Sequence, residues 1–182
     1  MDAILWRRLD TAGHDACRLL ANDDGWRLQG TAVFRHGGAA ACLAYEVACD
    51  GAWHTLEGVV RGWADADALD FRVTRLPGGI WTLNDQIVPQ LDGCVDLDLA
   101  FTPATNLIQL RRVALEVGEA ADVPVAWLDV FGGTLETLQQ RYERRAVDEY
   151  GYEAPRLSYA EVLRVAADGF VQHYPRLWEA AS

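Results

Sequence analysis

Apolar residues return at every second position through one short segment after another, and a turn signal closes nearly every segment. Successive side chains of a strand point to opposite faces, so this rhythm confines the chain to two-faced strands joined by tight turns. Residues 4–10 read as a first strand, and 16–21 as a second that reaches Asn22-Asp23-Asp24-Gly25. Trp26, Leu28, Gly30, Ala32 and Phe34 share one face opposite Arg27, Gln29 and Thr31, up to His36-Gly37-Gly38. Leu43, Tyr45, Val47 and Cys49 alternate with Ala44, Glu46 and Ala48; Asp50-Gly51 then predicts a hairpin into 53–63, because both residues tolerate positive φ. Gly58 and Gly62 in that strand leave room for curvature or for another group lying against the sheet. Leu69, Phe71 and Val73 alternate with Asp70, Arg72 and Thr74, and Pro77-Gly78-Gly79 and Asn84-Asp85 bracket a further strand over 80–83. Later, Val113, Leu115 and Val117 predict a strand, 123–131 is apolar on both faces, and 159–166 with 170–174 form a hairpin about Asp168-Gly169. Pro175, suited to an early helical position, predicts a short C-terminal helix over 175–181. The expected fold is mainly β, an antiparallel meander of about a dozen or more strands; an open sheet of that size curls, giving a large curved sheet or partly closed barrel with a concave face.

The densest polar chemistry lies in residues 91–106. Val95, Leu97, Leu99 and Phe101 fall on one face of a strand, with Cys94, Asp96 and Asp98 on the other. Unpaired carboxylates are costly to bury, so Asp96 and Asp98 face water, meet arginines or line a polar cavity. Thr102-Pro103-Ala104-Thr105-Asn106 reads as a polar connection short enough to return Arg111 and Arg112 alongside, which predicts ion pairs from both acids to these arginines. On a strand, two such acids stand roughly 6.5–7 Å apart, a spacing that suits sugar hydroxyls and equally the acid and base of a glycosidase.

The run from Leu91 to Leu99, followed by Phe101-Thr102-Pro103-Ala104-Thr105-Asn106 and Arg111-Arg112, resembles the signature of the bacterial putative glycolipid-binding family, a former domain of unknown function. Leu5-Trp6-Arg7-Arg8, Gly30-Thr31-Ala32, Trp81-Thr82-Leu83-Asn84 and Gln140-Arg141-Tyr142-Glu143-Arg144 fit it too, so the resemblance spans essentially the whole chain as one domain over 1–182. It implies a half-barrel like those of lipoprotein carriers, a glycolipid-like ligand, and a place for Arg141 and Tyr142 among the binding residues. Residues 134–149 fit a helical stripe (Leu135, Leu138, Tyr142) as well as strand alternation, and the resemblance implies strand.

Composition narrows the partners. With 51% hydrophobic residues in 182, the chain has enough apolar material for a sizeable core. A formal charge of −11 argues against nucleic acid and anionic membranes, which would repel it. All 16 basic residues are arginine, whose planar fork suits carboxylates and hydroxyls. The first residues lack a basic segment followed by an apolar one, and no apolar run approaches the roughly 20 residues that span a bilayer, so a cytoplasmic protein without stable membrane insertion is expected. Cys17, Cys42, Cys49 and Cys94 show no metal or disulfide spacing and read as free, packed thiols. The scattered histidines (14, 36, 54, 173) give no metal site, Ser158 and Ser182 sit in no nucleophile turn, and the paired glycines form no phosphate cradle, so neither metal nor cofactor is expected.

These features converge on non-catalytic binding of an amphipathic small molecule in the concavity, with Asp96, Asp98, Asn106, Arg111, Arg112, Arg141 and Tyr142 as candidate ligand contacts and the seven tryptophans available to line it. A sugar-conjugate hydrolase built on Asp96 and Asp98, and an adaptor that docks protein on its sheet, are the alternatives.

Overall fold

The computed structural model describes residues 2–181. Fifteen strands form one curved, unclosed sheet. In chain order these are β1 (Asp2–Arg8), β2 (Gly13–Asn22), β3 (Gly25–His36), β4 (Ala39–Asp50), β5 (Thr55–Ala64), β6 (Asp67–Leu76), β7 (Ile80–Leu83) and β8 (Gln86–Val88), then β9 (Asp96–Leu99), a helix α1 (Asn106–Val113), β10 (Ala120–Asp129), β11 (Thr134–Arg144), β12 (Glu149–Ala154), β13 (Tyr159–Val165), β14 (Val171–Tyr174) and β15 (Trp178–Ala180). The order in space is β8 to β1, then β15 down to β9. The chain therefore meanders outward from the middle to one edge, crosses through residues 89–95 to the other edge, and meanders back until β15 pairs with β1. Every pairing is antiparallel except β9 with β10, which is parallel because the crossing delivers β9 in the same direction.

Trp6 ties the two halves together at the seam. It is fully buried, its indole N–H donates to the Val171 carbonyl at 2.6 Å, and its ring meets Phe170 edge-on at 5.7 Å. The predicted alternation of the first half holds: Leu28, Ala32 and Phe34 of β3, and Ala41, Leu43, Tyr45, Val47 and Cys49 of β4, lie in the core, while Arg27, Gln29 and Glu46 lie on the opposite face. Residues 134–144 are strand, as the resemblance implied. The four cysteines are free thiols, three of them buried.

Three expectations fail. Asp50-Gly51 does not make a two-residue turn; a loop over 51–54 forms, with Asp50 Oδ1 accepting from the amides of Ala52 and His54 at 2.9 Å each. The C-terminal helix does not form: after Pro175 the chain turns and enters β15, because β1 offers an unpaired edge whose ladder satisfies more backbone groups than one isolated turn of helix. Val113, Leu115 and Val117 form no strand; Asn106–Val113 is helical instead. Its arginines in the last turn favour the helix dipole, and the Ala114 amide closes onto the Leu110 carbonyl. Three alternating residues are a weak strand signal beside an eight-residue segment with Leu107, Ile108 and Leu110 all buried.

The segment from Leu91 to helix α1 lies across the core face as a plug. The Trp81 indole donates to the Cys94 carbonyl at 3.2 Å, and the Leu97 amide donates to Thr55 Oγ1 at 3.0 Å. Leu97 fills the space left by Gly58, where a Cβ would stand 2.1 Å from its methyl, which is why that strand needs a glycine. Phe101 packs on Phe34 and Tyr45, and Arg111 reaches the turn after β13, donating to the Asp168 carbonyl at 2.6 Å. The concave face is a core wrapped around this plug.

Candidate functional site

The polar centre of the plug is built by three residues at helical spacing: Asn106, Gln109 and Arg112 follow one another every three positions and so share a stripe of α1. That stripe faces β9 and β11. Arg112 grips Asp96 with two parallel donors on one edge of its fork, Nε at 2.9 Å from Oδ1 and Nη2 at 2.7 Å from Oδ2. Gln109 Nε2 and Gln140 Nε2 donate to Asp98 Oδ2 at 3.2 and 2.7 Å. Asn106 Nδ2 donates to the Tyr142 hydroxyl at 2.7 Å, and that hydroxyl donates to Gln109 Oε1 at 2.5 Å. The result is a directed chain, Asn106 to Tyr142 to Gln109 to Asp98, in which each group is donor to the next and polarises it. Asp96 is fully buried and Asp98 nearly so. Burial pushes both carboxyls up; the Arg112 hydrogen bond and charge oppose this at Asp96, and the two glutamine amides oppose it at Asp98.

The predicted ion pairs are half right. Asp96 pairs with Arg112, but Asp98 meets two neutral amides, because α1 rather than a strand follows the loop and turns Gln109, not an arginine, towards it. Arg111 points the other way along the helix, over Trp53 at 5.9 Å. Arg141 lies on the opposite face of β11 from Tyr142 and forms an exposed pair with Asp122 at 3.1 Å. Five of the seven candidates, Asp96, Asp98, Asn106, Arg112 and Tyr142, thus come together in the buried network, while Arg111 and Arg141 stand apart from it.

A second buried acid carries no signal in the strand pattern. Asp15 of β2 sits among core residues, fully buried, accepting from the Tyr45 hydroxyl at 3.0 Å and from the Thr102 hydroxyl of the plug. Desolvation raises its pKa from 3.8 to about 6, against the pull of these two hydroxyls. Of the tryptophans, Trp6, Trp81 and Trp178 are buried in core packing, and Trp26 stacks on Trp53 at 4.6 Å.

Open space lies on the opposite face. A depression of about 1010 Å³ runs over β1 to β6 and includes Leu5, Ala16, Arg18, Gln29, Glu46 and Val59 in its wall. Neither Asp96 nor Asp98 borders it. Residues paired across neighbouring strands fall into rows here. One row reads Ala3, Arg18, Gln29, Glu46, Val59, Arg72; the next, two residues along each strand, reads Leu5, Ala16, Thr31, Ala44, Arg61, Asp70; beyond it, outside the depression, runs Arg7, His14, Val33, Cys42, Trp63, Ala68. Within the depression the hydrogen-bonding row thus gives way to a stretch of small and apolar residues from Leu5, 47% exposed, through Ala16 and Thr31 to Ala44, which ends at the charged Arg61 and Asp70.

The sequence profile of the family described as putative glycolipid-binding matches residues 3–180. The chain belongs to that family. A crystal structure of a DUF1089 family protein from Pseudomonas aeruginosa is similar to it, with a TM-score of 0.79 at 25% identity over 91% of this chain and 91% of that one. A search of curated proteins finds no match. The family's description supports a binding role. Among the described residues no helix is long and apolar enough to cross a membrane, and no cluster of three or more His, Cys, Asp or Glu is placed to hold a metal ion.

Arg112→Ala leaves Asp96 buried without its counter-charge and is expected to cost about 3–5 kcal/mol in denaturant melts, with Asp96→Ala and the double variant closing a strongly non-additive cycle. Asp98→Asn keeps an acceptor for both glutamines and should change stability by less than about 1 kcal/mol. At Asp15 the folded protein holds a proton more tightly than the unfolded chain, so its contribution is fully present below pH 3.8 and is lost as pH rises through about 6. Melts of the protein and of Asp15→Asn between these limits should differ in pH slope, by about 3 kcal/mol in total.

Proposed function

We propose that this protein binds, without chemistry, one amphipathic molecule of the glycolipid kind in the depression over β1 to β6. The observation that carries this is the grading of that face. The Arg18, Gln29 and Glu46 row offers donors and acceptors to a hydroxyl-rich head, and the adjoining stretch through Leu5, Ala16, Thr31 and Ala44 offers a small-residue, largely apolar bed to its tail. At about 1010 Å³ the space matches ordinary small-molecule sites. In this reading the residues first singled out in the sequence, Asp96, Asp98, Asn106, Arg112 and Tyr142, hold the plug rather than the ligand. Asp96 and Asp98 would serve a hydrolase poorly, because burial keeps water and sugar from both acids.

Native mass spectrometry of the protein purified from its own cells, with extraction of bound lipid, tests this. The expected result is one amphiphile per chain that is lost in Ala16→Trp, whose bulk fills the depression, while the melting temperature holds. Repeated recovery of ligand-free protein, or undiminished ligand on Ala16→Trp, contradicts the proposal.

A further inference from the structure

The polar row of the depression contains a guanidinium that the protein orients but does not neutralise. The charged groups in and beside the depression are Arg18, Arg27, Arg61 and Arg72 against Glu46, Glu57 and Asp70, and each acid has its own arginine: Arg27 on Glu46, Arg72 on Glu57, Arg61 on Asp70. Among the described residues Arg18 meets no carboxylate. Its Nε and Nη2 both donate to Gln29 Oε1, at 3.2 and 2.8 Å. The Gln29 amide cannot rotate away, because its Nε2 donates to Glu46 Oε2 at 2.6 Å, and Glu46 is in turn held by Arg27. This relay fixes one edge of the Arg18 fork and leaves Nη1, and with it the other edge, directed to no protein acceptor. In a chain of formal charge −11, this wall of the depression thus presents a pre-oriented cation with no carboxylate of its own among the described residues.

Resting on the proposed amphiphile site, we infer that its ligand carries a single anionic group on the head, phosphate or carboxylate, which Arg18 takes through its free edge. Two parallel N–H donors match the two oxygens of either group, and a charge-assisted pair outweighs a hydroxyl contact. Gln29 and Glu46 act as positioning residues. The surrounding negative charge does not forbid this, since a monomeric amphiphile meets the local field of the site, whereas an anionic bilayer would meet the whole surface.

Calorimetric titration of the full chain with monomeric decyl glucoside, decyl glucuronide and decyl phosphate at low salt separates the possibilities. The two anionic probes are expected to bind about tenfold more tightly than the glucoside, with the advantage shrinking in about 0.5 M salt. Arg18→Gln should erase that advantage, lowering affinity for the two anionic probes about tenfold more than for the glucoside, and Arg18→Lys, which keeps charge but loses the fork, should restore part of it. The tighter of the two anions identifies phosphate or carboxylate as the group. Equal affinity for all three probes, or an equal loss for all three in Arg18→Gln, overturns the anionic inference while leaving the amphiphile site standing. Failure of every probe to bind overturns the site itself.

Discussion

Two carboxylates taken out of water on one four-residue strand set the terms for the rest of this molecule. Asp96 and Asp98 both lie in β9, all of whose residues are buried, and an unpartnered carboxylate there would cost more than the strand's own pairing returns. The answer is a helix whose stripe Asn106, Gln109, Arg112 runs past them, supplying a guanidinium to one, an amide to the other and a donor to Tyr142. That requirement fixes where α1 sits, and α1 with the preceding segment then meets strands of both halves of the sheet. Gly58 yields to Leu97, Asp15 and Tyr45 receive Thr102, and the turn after β13 receives Arg111.

A sheet that closes one face on its own chain has the other left for function. Over β1 to β6 that second face carries small residues, Ala16, Thr31 and Ala44, beside a hydrogen-bonding row. Small side chains make the depression deep enough to hold a molecule, and the pairing register makes it two-faced. The proposal therefore places binding on strands rather than on loops. Strands hold the Gln29 and Glu46 relay in a single arrangement, whereas a loop would let it reorganise.

Most of the sheet was legible from the alternation, because each early strand is half-buried and shows its period without ambiguity. The parts that misled depend on partners distant in sequence. Residues 175–181 look helical alone, yet Trp178–Ala180 becomes strand because β1 lies open 170 residues earlier in the chain, as the pairing of Arg8 with Trp178 shows. The Asp96 and Arg112 pair was legible as charge in a central motif, but Gln109 and Gln140 were not, since a glutamine gains meaning only when a buried acid faces it. The row of Arg18, Gln29 and Glu46 appeared as three polar residues on three strands. Only the register makes them neighbours.

Backbone amide chemical shifts recorded during titration with decyl glucoside or decyl phosphate test the central claim most directly, that the plugged face is core and the opposite face binds. The account predicts shifts confined to the amides around Ala16, Arg18, Gln29, Thr31, Ala44 and Glu46, with Asn106 to Val113 unmoved. Perturbation centred on α1 and β9, with β2 to β4 silent, would contradict it.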